Sequence, residues 1–192
     1  YNTLLNIEIT NVIVDRDCGA MHFAIKNNIK CNIHSFKRNE SEDEILVKLI
    51  EDNNPDLIIT NVNKILSRRI VNRFSGKLIN LHYSLLPSFG GHIGMKSLEL
   101  AIQQGCKFIG ATVHHVTDGL DMGAIICQGI FTVEHTDDLI STMFKTGSIS
   151  LLNGIAKTLD ISTLPNQDYN NIIFSPSTEL DCNFLDRIFL ML

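Results

Sequence analysis

Asn80 and His82 stand two residues apart at the end of a predicted strand that runs from Lys77 to His82. Side chains two apart in a strand point to the same face, so the amide and the imidazole project together. An amide N–H can donate to a developing oxyanion, and an imidazole can donate or accept a proton near neutral pH. Ligands of open parallel sheets bind beyond the carboxyl ends of the strands, so the pair has the chemistry and the position of an acyl-transfer site.

A loop follows the strand and forms the predicted substrate side of this site. Ser84 leads into it, Pro87 fixes its backbone, and Gly90 and Gly91 loosen it.

A second polar segment is the acidic turn from Thr117 to Gly123, with the sequence TDGLDMG. Within it, Asp121 precedes Gly123 by two residues, which places a carboxylate on a loop whose backbone can approach a ligand closely. If Asp121 faces His82, the carboxylate would order the imidazole ring.

Neither motif is specific alone. An Asn-x-His pair at a strand end is more often structural than catalytic, and an aspartate in a turn flanked by glycines is usually a turn residue. The residues by themselves therefore leave both roles open.

The elements that must position these residues alternate between strand-like and helix-like segments. The predicted strands span 11–14, 30–34, 56–60, 77–82, 109–116 and 124–133, and the predicted helices span 19–28, 41–52, 67–74, 95–104 and 136–159. Ser41 and Glu44 form a capping box that would begin the second helix. This alternation predicts an α/β domain, Rossmann-like and three-layered, with a largely parallel central sheet in its first half. Residues 1–164 form the predicted catalytic domain, and 165–192 a C-terminal extension that packs on it in a monomer or homodimer.

Composition narrows the class of protein. The 192 residues are 44% hydrophobic and 19% charged, which is typical of a globular domain. The net charge of −5 comes with scattered Lys and Arg, so polynucleotide is not an expected partner. No apolar run approaches the roughly 20 residues that cross a bilayer, so no membrane association is expected. The five cysteines are widely spaced without a C-x-x-C pair, which predicts reduced thiols, a cytoplasmic location and no zinc site.

The pattern Asn-x-His-x-Ser-Leu-Leu-Pro, followed by an Asp-x-Gly turn, resembles the formyltransferases that use 10-formyltetrahydrofolate. The similarity is greatest to the glycinamide ribonucleotide formyltransferases and extends to relatives that act on amino sugars and methionyl-tRNA. It can be followed from about Asn11 to about Val133, through residues 56–59, 65–67, 111–114 and 125–128. The resemblance is specific because three separate segments match the family in the same order along the chain.

The resemblance implies a role for each reacting residue. Asn80 would hold the formyl carbonyl and donate to the oxyanion, and His82 would stabilise that charge and pass a proton to the leaving folate nitrogen. Asp121 would pair with His82 and accept, through a water, the proton of an attacking small-molecule amine. The co-substrate would be 10-formyltetrahydrofolate, with no metal and no covalent enzyme intermediate.

The resemblance also implies a folate pocket and a supporting histidine. Leu66 and Val71 could flank the flat pterin or simply pack in the core, and His114 would stand behind the reacting residues. The implied pocket comprises Val62, Asn63, Lys64, Leu66, Val71, Thr117, Asp118, Gly119 and Leu120.

Three departures from the family concern the acceptor. The opening strand and its Gly-Ser-Asn phosphate loop are absent from the chain, and either precede Tyr1 or are missing. The loop after Gly91 reads His-Ile-Gly-Met-Lys-Ser, and Lys145-Thr-Gly-Ser-Ile stands where a ribose-binding Glu is expected. The main expectation is formylation of a primary amine, nearest to glycinamide ribonucleotide in purine biosynthesis. Three alternatives stay open: formylation of a nucleotide-linked amino sugar, hydrolysis of 10-formyltetrahydrofolate, and a degenerate folate-binding domain without catalysis.

Overall fold

The computed structural model describes residues 7–37, 39–135, 138–161 and 172–176. The chain divides into two compact units, Tyr1–Leu78 and Ile79–Leu192. The elements in chain order are β1 (Val12–Val14), α1 (Gly19–Lys26), β2 (Cys31–Ile33), α2 (Glu40–Glu51), β3 (Ile58–Thr60), α3 (Arg68–Arg73), β4 (Leu78–His82), α4 (Lys96–Gln103), β5 (Phe108–His115), β6 (Ile125–Thr132), a 3₁₀ turn (Val133–His135), α5 (Leu139–Thr158) and β7 (Ile172–Ser175).

The first unit contains the parallel pairing that the sequence predicts. β1 and β2 are parallel neighbours, with Val12 paired to Cys31, and α1 connects them. Buried apolar side chains of its helices and strands form its core: Val14, Ala24, Leu46, Ile50, Ile70, Val71, Phe74 and Leu78.

The start of α2 differs from the capping box predicted at Ser41. Asn39 is the N-cap, and its side-chain oxygen accepts a hydrogen bond of 2.9 Å from the Glu42 backbone N–H. Asparagine caps at least as well as serine, and a start two residues earlier places Glu40, Glu42 and Asp43 in the first turn, where the helix dipole favours acidic residues.

The second unit holds the strands of the site in antiparallel order. β4 pairs with β5, β5 with β6, and β6 with β7, each pair antiparallel. A buried cluster joins β5 and β6 to α4 and α5: Leu98, Ala101, Ile109, Ala111, Phe131 and Met143. The α/β class is confirmed, with parallel pairing in the first half, as predicted, and antiparallel pairing in the second.

β7 lies inside the region predicted as a C-terminal extension. Its Ile172 pairs with Phe131 of β6, and its Phe174 is buried. Four residues of the predicted extension thus belong to the sheet of the second unit, and residues 177–192 of it lie outside the described residues. None of the helices in the described ranges is long and apolar enough to span a membrane.

Candidate functional site

The antiparallel register of β4 and β5 brings the polar side chains of both strands together. Asn80 pairs with His114, and His82 pairs with Thr112. Because paired residues of antiparallel strands share a face, these four side chains lie on one side of the sheet. The predicted pair Asn80 and His82 is therefore joined by two β5 residues.

His82 is held at both ring nitrogens. Its Nε2 lies 3.1 Å from the Phe89 carbonyl oxygen, and its Nδ1 lies 3.4 Å from Asp121 Oδ2. A carbonyl oxygen can only accept, so Nε2 carries a proton and Nδ1 faces the carboxylate. His82 is almost fully buried, with 6% of its side chain exposed. The structure thus brings together His82 and Asp121, the two residues whose contact the sequence left conditional.

The Asp121 carboxylate connects three parts of the site. Its Oδ2 accepts a 2.7 Å hydrogen bond from the Gly91 backbone N–H, and its Oδ1 lies 3.6 Å from His114 Nε2. The residue has a φ of 54°, in the left-handed region that aspartate tolerates better than most residues. The acidic turn and the glycine loop are therefore bonded to each other beside His82.

His114 contacts two of the predicted site residues, Asn80 and Asp121. Its Nδ1 donates to the His115 carbonyl oxygen at 2.9 Å, and its Nε2 lies 3.4 Å from Asn80 Nδ2. Because the Nδ1 proton of His114 is donated to the His115 carbonyl, the Nε2 of the neutral ring carries a lone pair that accepts from the Asn80 amide. His114 therefore fixes the orientation of the Asn80 amide, with Nδ2 directed at the imidazole.

Thr112 and Gln128 clamp the predicted substrate loop, and sequence analysis missed both. Thr112 Oγ1 donates to the Ser84 carbonyl at 2.7 Å and accepts from the Leu86 N–H at 3.0 Å. Gln128 Nε2 donates to the same hydroxyl at 2.9 Å and to the Leu86 carbonyl at 3.1 Å. Their signal in the sequence was present, since both lie in the segments 111–114 and 125–128 that carry the resemblance.

The predicted loop residues divide by exposure. Ser84 is buried and donates to the Ser88 carbonyl at 2.6 Å, so its hydroxyl stabilises the loop itself. Pro87, Gly90 and Gly91 are exposed.

The residues assigned to a folate pocket lie in both units. Val71 is buried in the first unit at 6% exposure, Val62 and Leu66 are half-buried there, and Asn63 and Lys64 are exposed. In the second unit the exposed members are Thr117, Asp118, Gly119 and Leu120. The folate-binding role of all nine residues stays a prediction. Among the described residues, no group of three or more His, Cys, Asp or Glu side chains is placed to hold a metal ion.

The protonation of His114 gives a first testable prediction. Burial lowers the pKa of His114 below its ordinary value near 6.5, although the His115 hydrogen bond and the Asp121 carboxylate partly offset burial. The unfolded chain therefore binds this proton at a higher pH than the native chain does. Stability from neutral His114 is fully present above about pH 6.5 and is lost as the pH falls through the lower native pKa.

We accordingly expect the free energy of unfolding of the protein to fall between pH 7 and pH 5, and His114→Gln to make that fall smaller. Urea denaturation of both proteins across this range measures the two slopes. Equal slopes would contradict a buried, neutral His114.

Comparisons with known proteins identify the family of this chain. A family model described as formyl transferase matches residues 8–148. Formyltetrahydrofolate deformylase of Haemophilus influenzae is 30% identical over 165 residues, which cover 84% of this chain and 58% of that protein. The mitochondrial formyltetrahydrofolate deformylase 1 of Arabidopsis thaliana is 32% identical over 178 residues, 88% of this chain and 54% of that protein. The chain thus spans a little more than half the length of these relatives.

Solved structures show the same fold. Phosphoribosylglycinamide formyltransferase from Coxiella burnetii has a TM-score of 0.66 and 30% identity, over 81% of this chain and 73% of that one. A formyltetrahydrofolate deformylase from Pseudomonas syringae has a TM-score of 0.69 and 26% identity, over 87% of this chain and 56% of that one.

Proposed function

Because the chain belongs to the formyl transferase family, we propose that it transfers the formyl group of 10-formyltetrahydrofolate to water. The products would be tetrahydrofolate and formate. The observation that carries this proposal is the likeness to two formyltetrahydrofolate deformylases, of 30% and 32% identity over 84% and 88% of this chain. The side chains of His82, Asp121 and His114 that would do the chemistry are only 6%, 9% and 3% exposed.

Asn80 would bind the formyl oxygen. An amide N–H that is held beside the formyl oxygen before the reaction would stabilise the oxyanion that forms as water adds, because it need not reorient during the reaction. His114, which accepts from the same amide group at 3.4 Å, holds the Asn80 side chain in that orientation.

Asp121 and His82 would move the protons. Asp121 would accept a proton from the attacking water, since its Oδ1 and Oδ2 lie between the two histidines at 3.6 and 3.4 Å. His82, carrying a proton on each ring nitrogen, would stabilise the oxyanion and supply its Nδ1 proton to the leaving N10 nitrogen of the folate. The proton that Asp121 takes from the water would then return to His82 Nδ1, 3.4 Å away.

The atoms balance without a further reactant. The water oxygen bonds to the formyl carbon, the bond between that carbon and N10 breaks, and N10 leaves with one proton. The formic acid loses its proton to solvent, so 10-formyltetrahydrofolate and water give tetrahydrofolate, formate and one proton.

Transfer to an amine is the second candidate. It is favoured by the 30% identity and TM-score of 0.66 to a phosphoribosylglycinamide formyltransferase. The departures at Lys145 and after Gly91 in the sequence weigh against glycinamide ribonucleotide as that amine.

Incubating the purified protein with 10-formyltetrahydrofolate distinguishes the two. We expect formate and tetrahydrofolate to appear in equal amounts without an amine, and the rate not to rise with glycinamide ribonucleotide or nucleotide-linked amino sugars. Asn80→Ala is the inactive control. Consumption of the folate only when an amine is present would replace hydrolysis by amine transfer, and binding without turnover under any condition would favour a non-catalytic domain.

A further inference from the structure

Ser97 contacts the reacting histidine from a helix that neither the motifs nor the proposed mechanism includes. It is the second residue of α4 and is fully buried, at 0% exposure. Its Oγ lies 3.2 Å from the Phe89 carbonyl oxygen and 3.3 Å from His82 Nε2. With the 3.1 Å contact between His82 Nε2 and the Phe89 oxygen, the three atoms form a closed triangle.

The protons of this triangle have one consistent assignment. The Phe89 carbonyl can only accept, so both the Ser97 hydroxyl and His82 Nε2–H donate to it. A lone pair of the Ser97 oxygen then faces Nε2–H as a second acceptor. This arrangement keeps a proton on Nε2 before and after the reaction, so the proton that His82 gives up is the one on Nδ1, beside Asp121.

The loop itself cannot fix the Phe89 carbonyl without help. Phe89 has a φ of 57° and precedes Gly90 and Gly91, and the latter has a φ of 80°. This is a stretch of left-handed and glycine backbone with many alternative conformations. The hydrogen bond from the Ser97 hydroxyl connects the Phe89 carbonyl to α4. The next residue of that helix, Leu98, belongs to the buried core cluster.

We propose that Ser97 is a positioning residue for His82. It anchors the Phe89 carbonyl and accepts from Nε2–H, and so keeps the Nε2 proton in place and the ring in the orientation that presents Nδ1 to Asp121. This inference rests on the proposed function in one respect only, namely that His82 takes part in the reaction.

The hydroxyl rather than the volume of Ser97 carries this role. Ser97 and Phe89 line a partly open pocket of about 80 Å³. Because space adjoins the side chain, Ser97→Thr can keep the hydroxyl and place its added methyl group in the pocket. Ser97→Ala removes the hydroxyl alone.

The test compares Ser97→Ala, Ser97→Thr and Ser150→Ala. Ser150 is the matched control, because it too is a serine at 0% exposure in the second unit, but lies on α5 and has no hydrogen-bond partner for its Oγ among the described residues. We expect Ser97→Ala to lower kcat roughly tenfold, as for one lost hydrogen bond, with KM changed less than about twofold. Ser97→Thr should restore most of kcat, and Ser150→Ala should keep it.

A second readout does not depend on turnover. Nitrogen-15 NMR of the imidazoles should show His82 protonated at Nε2 in the wild type and in Ser97→Thr, and a mixture of tautomers in Ser97→Ala. Unchanged kcat together with an unchanged His82 spectrum in Ser97→Ala would overturn the proposal, as would a kcat loss that Ser97→Thr fails to restore.

The two proposals fail separately. If the wild type transfers formyl groups to an amine instead of water, the same kcat comparison is made with that amine. If no turnover is found, the tautomer change in Ser97→Ala still decides the role of Ser97.

Discussion

Replacing Asp121 with asparagine is expected to lower kcat by about 10³-fold, within the range that a positioned acid or base contributes. Asparagine has nearly the same size, and its amide oxygen can still accept from the Gly91 N–H that Asp121 Oδ2 accepts at 2.7 Å. What disappears is the negative charge 3.4 Å from His82 Nδ1 and the capacity to take a proton from the nucleophile. The fold should therefore survive while the reaction is lost.

Asp160→Asn is the matched control for this substitution. Asp160 is also an aspartate in the left-handed region, with a φ of 50°, but it is exposed beyond the end of α5. Asparagine tolerates this backbone region well, so kcat and the melting temperature should stay at their wild-type values. Steady-state kinetics with thermal melts measure both variants. A kcat of Asp121→Asn within threefold of wild type would show that the carboxylate is not the proton acceptor.

Gly123→Ala is expected to destabilise the protein by about 3 kcal/mol or more, because the added methyl group has no space. A Cβ at this position would lie 1.6 Å from the His115 carbonyl oxygen. The backbone at Gly123 cannot move away from β5 far enough to relieve this clash. The residue after it, Ala124, is hydrogen-bonded to the same residue of β5, because its carbonyl accepts from the His115 N–H at 2.9 Å. The turn that carries Asp121 must then move, so kcat should fall as well.

Gly19→Ala tests whether this effect belongs to the close approach or to glycine replacement in general. Gly19 begins α1, and a Cβ there would meet nothing within 4 Å. Alanine favours the helix over glycine by up to about 1 kcal/mol, so Gly19→Ala should be neutral or slightly stabilising. Urea denaturation gives the free energy of unfolding of both variants. A Gly123→Ala protein as stable as wild type would mean that the turn can adopt another conformation at no cost.

Strand β4 and the facing of its polar residues could be predicted from the sequence because the pattern that indicates them is local. The period of two places Asn80 and His82 on one face in any sheet, and the resemblance supplied Asp121. The predicted contact between His82 and Asp121 needed the structure, because 38 intervening residues fold back through β5 before the acidic turn.

The supporting contacts could not be predicted because they depend on register. Asn80 meets His114 only since β4 and β5 are antiparallel in this pairing, and a shift by one residue would turn His114 to the other face. Ser97 reaches His82 only because the loop after β4 turns back onto α4. In each case the partner lies 15 or more residues away, where no periodicity reports it.

The sequence also did not predict where α2 begins or that β7 forms. Asn39 and Ser41 are both good caps, and the capping-box pattern selected Ser41, whereas the helix begins after Asn39. β7 has only four residues and follows a proline-containing segment, so its pairing with β6 had no signal in the local sequence.

The most direct measurement of the central claim is the fate of the water oxygen. The protein is incubated with 10-formyltetrahydrofolate in ¹⁸O-labelled water, and the formate is analysed by mass spectrometry. If water adds to the formyl carbon at Asn80, His82 and Asp121, each formate released in the first turnovers carries one ¹⁸O atom, and Asp121→Asn abolishes its formation. Loss of the formyl group from the folate without labelled formate, with the group recovered on an amine, would contradict hydrolysis as the function.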